Sequence, residues 1–206
     1  MEDKESVFDR SYAKYLTELK DLSFKSIAPL IGGNMEGKAI KISLFGTTYS
    51  VSFNGIIDPS GNKPGYDICV ILIRYILVCP GASPKEDELV SFRDLKDSGP
   101  LTSYFSNDVE RPIASYFKGN LSGLEKACKS ISGYIPDLDV NYDLAMRFDA
   151  LPKISVILLF NDEDEEFPAK CSVLFERRAE KYLDAECIAM LAAQLFRCLK
   201  KGMSTP

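Results

Sequence analysis

Leu144-Ala145-Met146-Arg147-Phe148-Asp149-Ala150-Leu151-Pro152-Lys153, followed by the apolar run Ile154 to Phe160, is the stretch that decides the fold. Leu144 to Phe148 and Ile154 to Phe160 read as two strands joined by a turn containing Leu151-Pro152. After the acidic turn Asn161-Asp162-Glu163-Asp164-Glu165-Glu166, Lys170 to Phe175 reads as a third. Asp184 then caps a helix in which Ile188, Leu191, Leu195 and Leu199 share a face. Arg197, Lys200 and Lys201 complement its dipole, and Gly202 is expected to end it.

Working back toward the N-terminus, Phe8, Tyr12, Tyr15, Leu19 and Leu22 form an apolar stripe, predicting a helix over about 6–21. Ser23 is expected to cap a short helix that Gly32-Gly33 stops. Ile40 to Leu44 and Tyr49 to Phe53 alternate apolar with polar residues around Phe45-Gly46-Thr47-Thr48, which predicts a β-hairpin. The turn-forming stretch 58–65 reads as a surface loop. Ile68 to Cys79 has strand-like β-branching but helix-like length. Asp67 as N-cap and Pro80-Gly81 as stop favour a buried helix, whose Arg74 then needs an oxygen partner. Glu88 to Phe92 reads as a short strand, Ser98 to Asn107 as a loop, and Val109 to Phe117 and Leu121 to Ile131 as helices. Strands in runs and helices in runs indicate α+β: a largely antiparallel sheet built from hairpins, with helices on one face, in a single globular domain over 1–206.

The chain contains no histidine among its 206 residues. That excludes Ser-His-Asp and Cys-His nucleophilic sites, histidine-ligated haem and HExxH zinc sites, and leaves acid–base chemistry to carboxylates, lysine, tyrosine or cysteine. The net charge of −5 and the scattered basic residues argue against a nucleic-acid-binding face. The charged N-terminus does not read as a secretory signal. The longest apolar run is short of a membrane span and carries Arg74. The protein is expected to be soluble and cytoplasmic. Its six cysteines show no CxxC spacing and read as reduced, buried thiols. Cys198, between Arg197 and Lys200-Lys201, is the one that approaches the cationic setting a reactive cysteine needs.

Each polar feature has a structural and a functional reading. The acidic run 161–166 is either a set of hard oxygen ligands for a divalent cation or a solvated turn; it lacks the glycine of a calcium loop, and the solvated turn is preferred. Gly32-Gly33-Asn34-Met35-Glu36-Gly37 follows a helix and opens a strand, the reverse of a dinucleotide fingerprint, so it reads as a helix stop. Arg93 either pairs with Asp94 at the surface or holds an anionic ligand between Tyr104 and Phe105 as aromatic walls. Asp149 is either a turn-former or a carboxylate of raised pKa.

The chain resembles the uncharacterised prokaryotic domain-of-unknown-function family 3786. The resemblance is carried by Val90-Ser91-Phe92-Arg93-Asp94-Leu95, by Arg147-Phe148-Asp149-Ala150-Leu151-Pro152 and by Asp164-Glu165-Glu166-Phe167-Pro168. Ser172-Val173-Leu174-Phe175, Tyr182-Leu183 and the final helix complete it. It extends over nearly the whole chain. It implies a free-standing domain with no established activity, from anaerobic bacteria or archaea. Some relatives carry a cysteine-rich iron–sulfur segment that this chain lacks. The family supplies no catalytic residues, but it draws attention to Arg93, Asp149 and Glu166, which lie inside the shared words.

The leading functional expectation is a small-molecule-binding or accessory module without intrinsic cofactor or metal, with Arg93 as anion contact and Tyr104 and Phe105 lining the pocket. Two alternatives stay open: a carboxylate-based, Mg²⁺-assisted enzyme using Asp149, Asp164 and Glu166, and a protein–protein adaptor. The expected partner is a small molecule or a protein, with neither nucleic acid nor membrane involved; the oligomeric state is left open.

Overall fold

The computed structural model describes residues 7–82 and 84–204. In chain order the first half comprises helices α1 (Val7–Leu19) and α2 (Phe24–Ile31), strands β1 (Asn34–Glu36), β2 (Ala39–Leu44), β3 (Thr47–Ser52) and β4 (Gly55–Ile57), and helix α3 (Tyr66–Leu77). The second half comprises β5 (Leu89–Ser91), α4 (Thr102–Phe105), α5 (Arg111–Phe117), α6 (Leu121–Ser130), β6 (Leu144–Leu151), β7 (Ile154–Asn161), β8 (Lys170–Glu176) and α7 (Ala185–Ser204). The fold is α+β and wholly antiparallel, with the strands divided between two four-stranded sheets, β1-β2-β3-β4 and β5-β8-β7-β6.

The predicted α1 stripe buries Tyr12 and Leu19; residue 6 and the side chain of Phe8 lie outside the described residues, as does the charged N-terminus. Helix α2 stops as expected. Gly32 takes φ +71°, and the N–H of Gly33 reaches back to the Ala28 carbonyl at 2.8 Å. Ser23 does begin this helix, but its hydroxyl pairs with that of Ser26 at 3.0 Å instead of capping a backbone N–H. The β2–β3 hairpin forms in the register Ile40↔Val51, with a tighter turn than predicted: Phe45-Gly46, both at positive φ, the geometry whose twist matches the flanking strands.

Helix α3 is buried at Ile71, Leu72, Ile73, Tyr75 and Ile76, and packs against α1 and α7. Its N-cap is Gly65; Asp67 sits in the first turn, where its carboxylate is taken by Gln194 and Arg197 of α7. Arg74 finds the oxygen it needs in Asp184, 2.9 Å away. Tyr75, with no exposed surface, donates to the Ile31 carbonyl at 2.8 Å and accepts from the Lys153 N–H at 3.0 Å. One hydroxyl thereby ties α3, the end of α2 and the β6–β7 turn together.

The decisive hairpin pairs Leu144↔Phe160 through Asp149↔Ser155, with an irregularity before Leu151. Met146, Phe148, Val156, Leu158, Val173 and Phe175 are fully buried on one face, against which α5 and α6 pack. Phe45 donates its N–H to the Ala150 carbonyl at 3.0 Å where β2 meets β6, joining the two sheets. Helix α7 buries Ile188, Leu191, Leu195 and Leu199 as predicted and packs on α3 and α6. Gly202 does not end it. The helix runs through Ser204, and a Cβ at position 202 would lie 2.3 Å from the Ser130 Oγ, so this glycine lets α6 and α7 approach.

The segment Ser98 to Asn107, expected as a loop, is helical. A 3₁₀ turn (Gly99–Leu101), α4, a π-turn (Ser106–Glu110) and α5 follow one another without a break. Pro112 supplies the reason for the π-turn. It has no N–H for the Asp108 carbonyl four residues back, and its ring crowds that carbonyl, so the helix widens by one residue just before it.

A candidate anion pocket beneath the π-turn

Strand β5 pairs with β8 only from Leu89↔Glu176 to Ser91↔Leu174, and then Phe92–Asp94 curls into a 3₁₀ turn. Asp94 closes that turn by accepting from the Ser91 N–H (3.3 Å) and from the Ser91 hydroxyl, which holds the Asp94 carboxyl below its ordinary pKa range. The pairing alternates: Arg177 N–H binds the Glu88 carbonyl at 2.8 Å, so the Val173 N–H faces the same side, where a longer β5 would have continued. Such an orphaned donor requires an acceptor. Glu110, the last residue of the π-turn, provides it, Oε1 accepting at 3.1 Å.

The vacated edge is a cavity of about 290 Å³ lined by Arg93, Glu110, Phe105 and the hydroxyl-bearing Ser91, Thr102, Ser106 and Ser172. Its floor is aromatic. Phe92 and Phe105 stack at 4.2 Å with rings 3° from parallel, and Phe105 meets Phe175 edge-on at 6.0 Å. Burial raises the Glu110 carboxyl above its ordinary range, outweighing the Val173 N–H, Lys170 and Arg93, all of which favour the anion. Arg93 is exposed at the rim, and its side chain makes no hydrogen bond or ion pair among the described residues; its carbonyl accepts from the Ser98 hydroxyl at 3.0 Å, and the surface pair with Asp94 does not form.

Of the residues singled out in the sequence, Arg93 and Phe105 come together here, with Phe105 as buried floor at 2% exposure. Tyr104 is 42% exposed and does not line the cavity. Asp149 lies on β6, across the sheet from β5, and accepts from the Tyr134 hydroxyl at 3.3 Å. Glu166 is in the exposed β7–β8 turn, where its N–H and that of Phe167 donate to Asp164 Oδ1 at 2.8 and 2.7 Å. Asp149 faces Ser155 near one end of β7, whereas Asp164 and Glu166 follow its other end, about 20 Å away at the usual strand rise. The acidic turn borders an open cavity of about 510 Å³, but Asp162 and Asp164 accept from backbone donors, including Gly119 N–H to Asp162 Oδ1 at 2.7 Å, and Glu163 pairs with Lys118 at 3.5 Å. Among the described residues no group of three or more carboxylates or cysteines is placed to hold a metal ion.

Sequence reasoning missed Glu110. Its signal was Pro112, which in a helix reached from Ser98 forces the widened turn that presents this carboxylate. The reading also missed a buried polar brace on β6, β7 and β8. Glu176, 4% exposed, accepts from Arg147 Nη2 and Arg178 Nε at 2.8 Å each, and Arg147 Nη2 also reaches Ser155 Oγ at 2.8 Å. All six cysteines are free, and burial raises each thiol, the Cys128 thiol to about 12. At Cys198 burial outweighs Lys201 and Arg197, so the cationic neighbours do not produce a thiolate.

No helix among the described residues is long and apolar enough to cross a membrane. No curated protein and no solved structure matches the chain. One family does, over residues 23–198, and the motif words around Arg93 and Arg147 fall inside that span. The chain therefore belongs to the family described as a domain of unknown function, DUF3786.

Proposed function

We propose that this protein is a cytoplasmic small-molecule-binding module whose ligand is a small organic acid bearing a second hydrogen-bond donor, such as an α-amino or α-hydroxy acid. The observation that carries this reading is the pairing, in one cavity, of a guanidinium that makes no hydrogen bond or ion pair among the described residues with a half-buried carboxyl group, above an aromatic floor. Arginine's fork suits a carboxylate. Glu110 spends Oε1 on the Val173 N–H, which leaves Oε2 for an ammonium or hydroxyl group of the ligand. The volume of about 290 Å³ accommodates on the order of ten non-hydrogen atoms.

Equilibrium dialysis against a defined mixture of small α-amino and α-hydroxy acids tests the reading. The wild-type protein retains at least one of them, and Arg93→Gln abolishes retention with its melting temperature unchanged. No retained acid, or equal retention by the variant, overturns it.

A further inference from the structure

Ten large apolar side chains are exposed among the described residues, and five of them gather around the start of β6 and the β7–β8 turn. They are Tyr134, Ile135, Val140, Tyr142 and Phe167; Ile135 and Phe167 are the most exposed of the ten, at 70% and 66%. The two segments are tied together: Asp143 donates its N–H to Asn161 Oδ1 at 3.2 Å, and Asp162 donates its N–H to Asp143 Oδ2 at 2.8 Å. Tyr134 is bridged to Arg147, three residues into β6 and so about 10 Å from its start. Tyr142 and Phe167 line the open cavity of about 510 Å³ together with Pro168 and Ala169. The turn that carries Phe167 is fixed, since its N–H donates to Asp164 Oδ1 at 2.7 Å and its carbonyl accepts from the Asp164 N–H at 3.0 Å. An apolar patch held open to water and rimmed by polar groups marks an interaction surface.

The charge around this patch selects the partner. Residues 134–146 and 161–169 hold eight acidic residues and no basic one, so in a chain of net charge −5 the remainder is net positive. Glu163 is neutralised by Lys118 at 3.5 Å, but the other seven carboxylates make no ion pair among the described residues. Asp143, Asp162 and Asp164 accept from backbone N–H groups, which orients these side chains and leaves their charge uncancelled. Lys170, the basic residue of the cavity lining, also acts on Glu110 in the Arg93 cavity.

We propose that this surface docks a basic amphipathic helix of another protein. Such a helix lays its apolar stripe on the exposed side chains, one of its own entering the cavity between Tyr142 and Phe167, and its flanking lysines and arginines meet the acidic rim. The apolar contacts supply burial, and the charges supply steering and orientation. Both turns are already braced by the hydrogen bonds above, so little ordering is needed on this side of the interface. A second copy of this chain fits poorly, because it would bring two sets of the same carboxylates face to face. The Arg93 cavity begins two residues further along β8, at Ser172, and shares no lining residue with this one.

Fluorescence anisotropy of a labelled peptide of Leu-Lys-Lys-Leu-Leu-Lys-Leu repeats tests the proposal. One control peptide carries glutamate for every lysine, and a second carries glutamine for every leucine. The basic amphipathic peptide binds at micromolar concentration and more weakly as salt rises, and both controls bind at least tenfold more weakly. Phe167→Ser weakens the peptide at least tenfold, and so does the triple variant Asp139→Asn/Glu165→Gln/Glu166→Gln, both with unchanged melting temperature. Arg93→Gln leaves its affinity as it is. No binding at micromolar concentration, equal binding of either control, or unchanged affinity in either variant of this surface overturns the proposal. Displacement of the peptide by equimolar spermidine also overturns it, by assigning the carboxylates to a small polycation. So does a wild-type dimer in sedimentation that Phe167→Ser converts to monomer, by making a second copy the occupant.

Discussion

Replacing Glu110 by alanine and by glutamine separates two properties of its carboxyl group, the acceptor oxygen and the charge. Oε1 accepts the N–H of Val173, a residue with no exposed surface, at 3.1 Å. Glu110→Ala removes the acceptor, and a buried donor left without a partner costs about 1–3 kcal/mol. In a chain of this size each kcal/mol moves the melting temperature by about 2–4 °C, so the alanine variant is expected to melt about 2–12 °C lower. Glutamine keeps an acceptor in place and carries no charge. At neutral pH it escapes the burial penalty that raises the wild-type pKa, so Glu110→Gln melts at or above wild type. The pH dependence follows from the direction of that shift. A carboxyl whose folded pKa is raised stabilises the fold fully only below its unfolded value, about 4.3, and loses that contribution as pH rises through the folded value. The advantage of glutamine over wild type therefore opens as pH rises from about 4 toward neutrality. Thermal unfolding followed by circular dichroism across this range reads the effect. A glutamine variant that melts as low as the alanine variant at neutral pH refutes the reasoning, since Arg93 and Lys170 would then make the charge itself stabilising.

Tyr75→Phe leaves the Ile31 carbonyl and the Lys153 N–H without their shared partner and should cost about 1–3 kcal/mol in urea unfolding; a change within error refutes the bridging role. Glu176→Ala strips the buried carboxylate from between Arg147 and Arg178 and should cost about 3 kcal/mol or more, measured the same way. Gly202→Ala should destabilise, although alanine is the better helix former by about 1 kcal/mol, because the new methyl meets Ser130 Oγ. Ser130→Ala in the same chain should recover part of the loss; an unchanged or raised melting temperature in Gly202→Ala alone contradicts the close approach of α6 and α7.

The α+β class was legible because its signals are periodic and local. Ile188, Leu191, Leu195 and Leu199 mark one helix face, Ile40 to Leu44 alternate, and Leu151-Pro152 breaks the decisive hairpin. The division into two sheets was not, since nothing local in β2 or β6 says that they meet end to end through Phe45 and Ala150. Glycines and caps misled where tertiary contacts set them: Gly202 serves a neighbouring helix, and Asp67, inside the first turn instead of at the N-cap, gives Oδ1 to the Ile68 N–H and Oδ2 to α7. Half of the anion pocket was readable. Arg93 and Phe105 announced themselves as a cation and an aromatic, but Glu110 lay in the predicted helix Val109 to Phe117, and the glycine, proline and serines of Ser98 to Asn107 hid the helical run that leads into it through a widened turn. The register that leaves the Val173 N–H unpaired is a property of two strands, and no single segment encodes it.

The most direct test of the pocket is a two-dimensional spectrum of the arginine Nε–Hε groups, with the Arg93 signal assigned by its loss in Arg93→Lys. Titrated with the mixture of α-amino and α-hydroxy acids, the Arg93 signal is expected to move while those of Arg147 and Arg178, braced by Glu176, stay in place. An Arg93 signal that stays fixed while others shift, or a spectrum with no shift at all, would contradict the account.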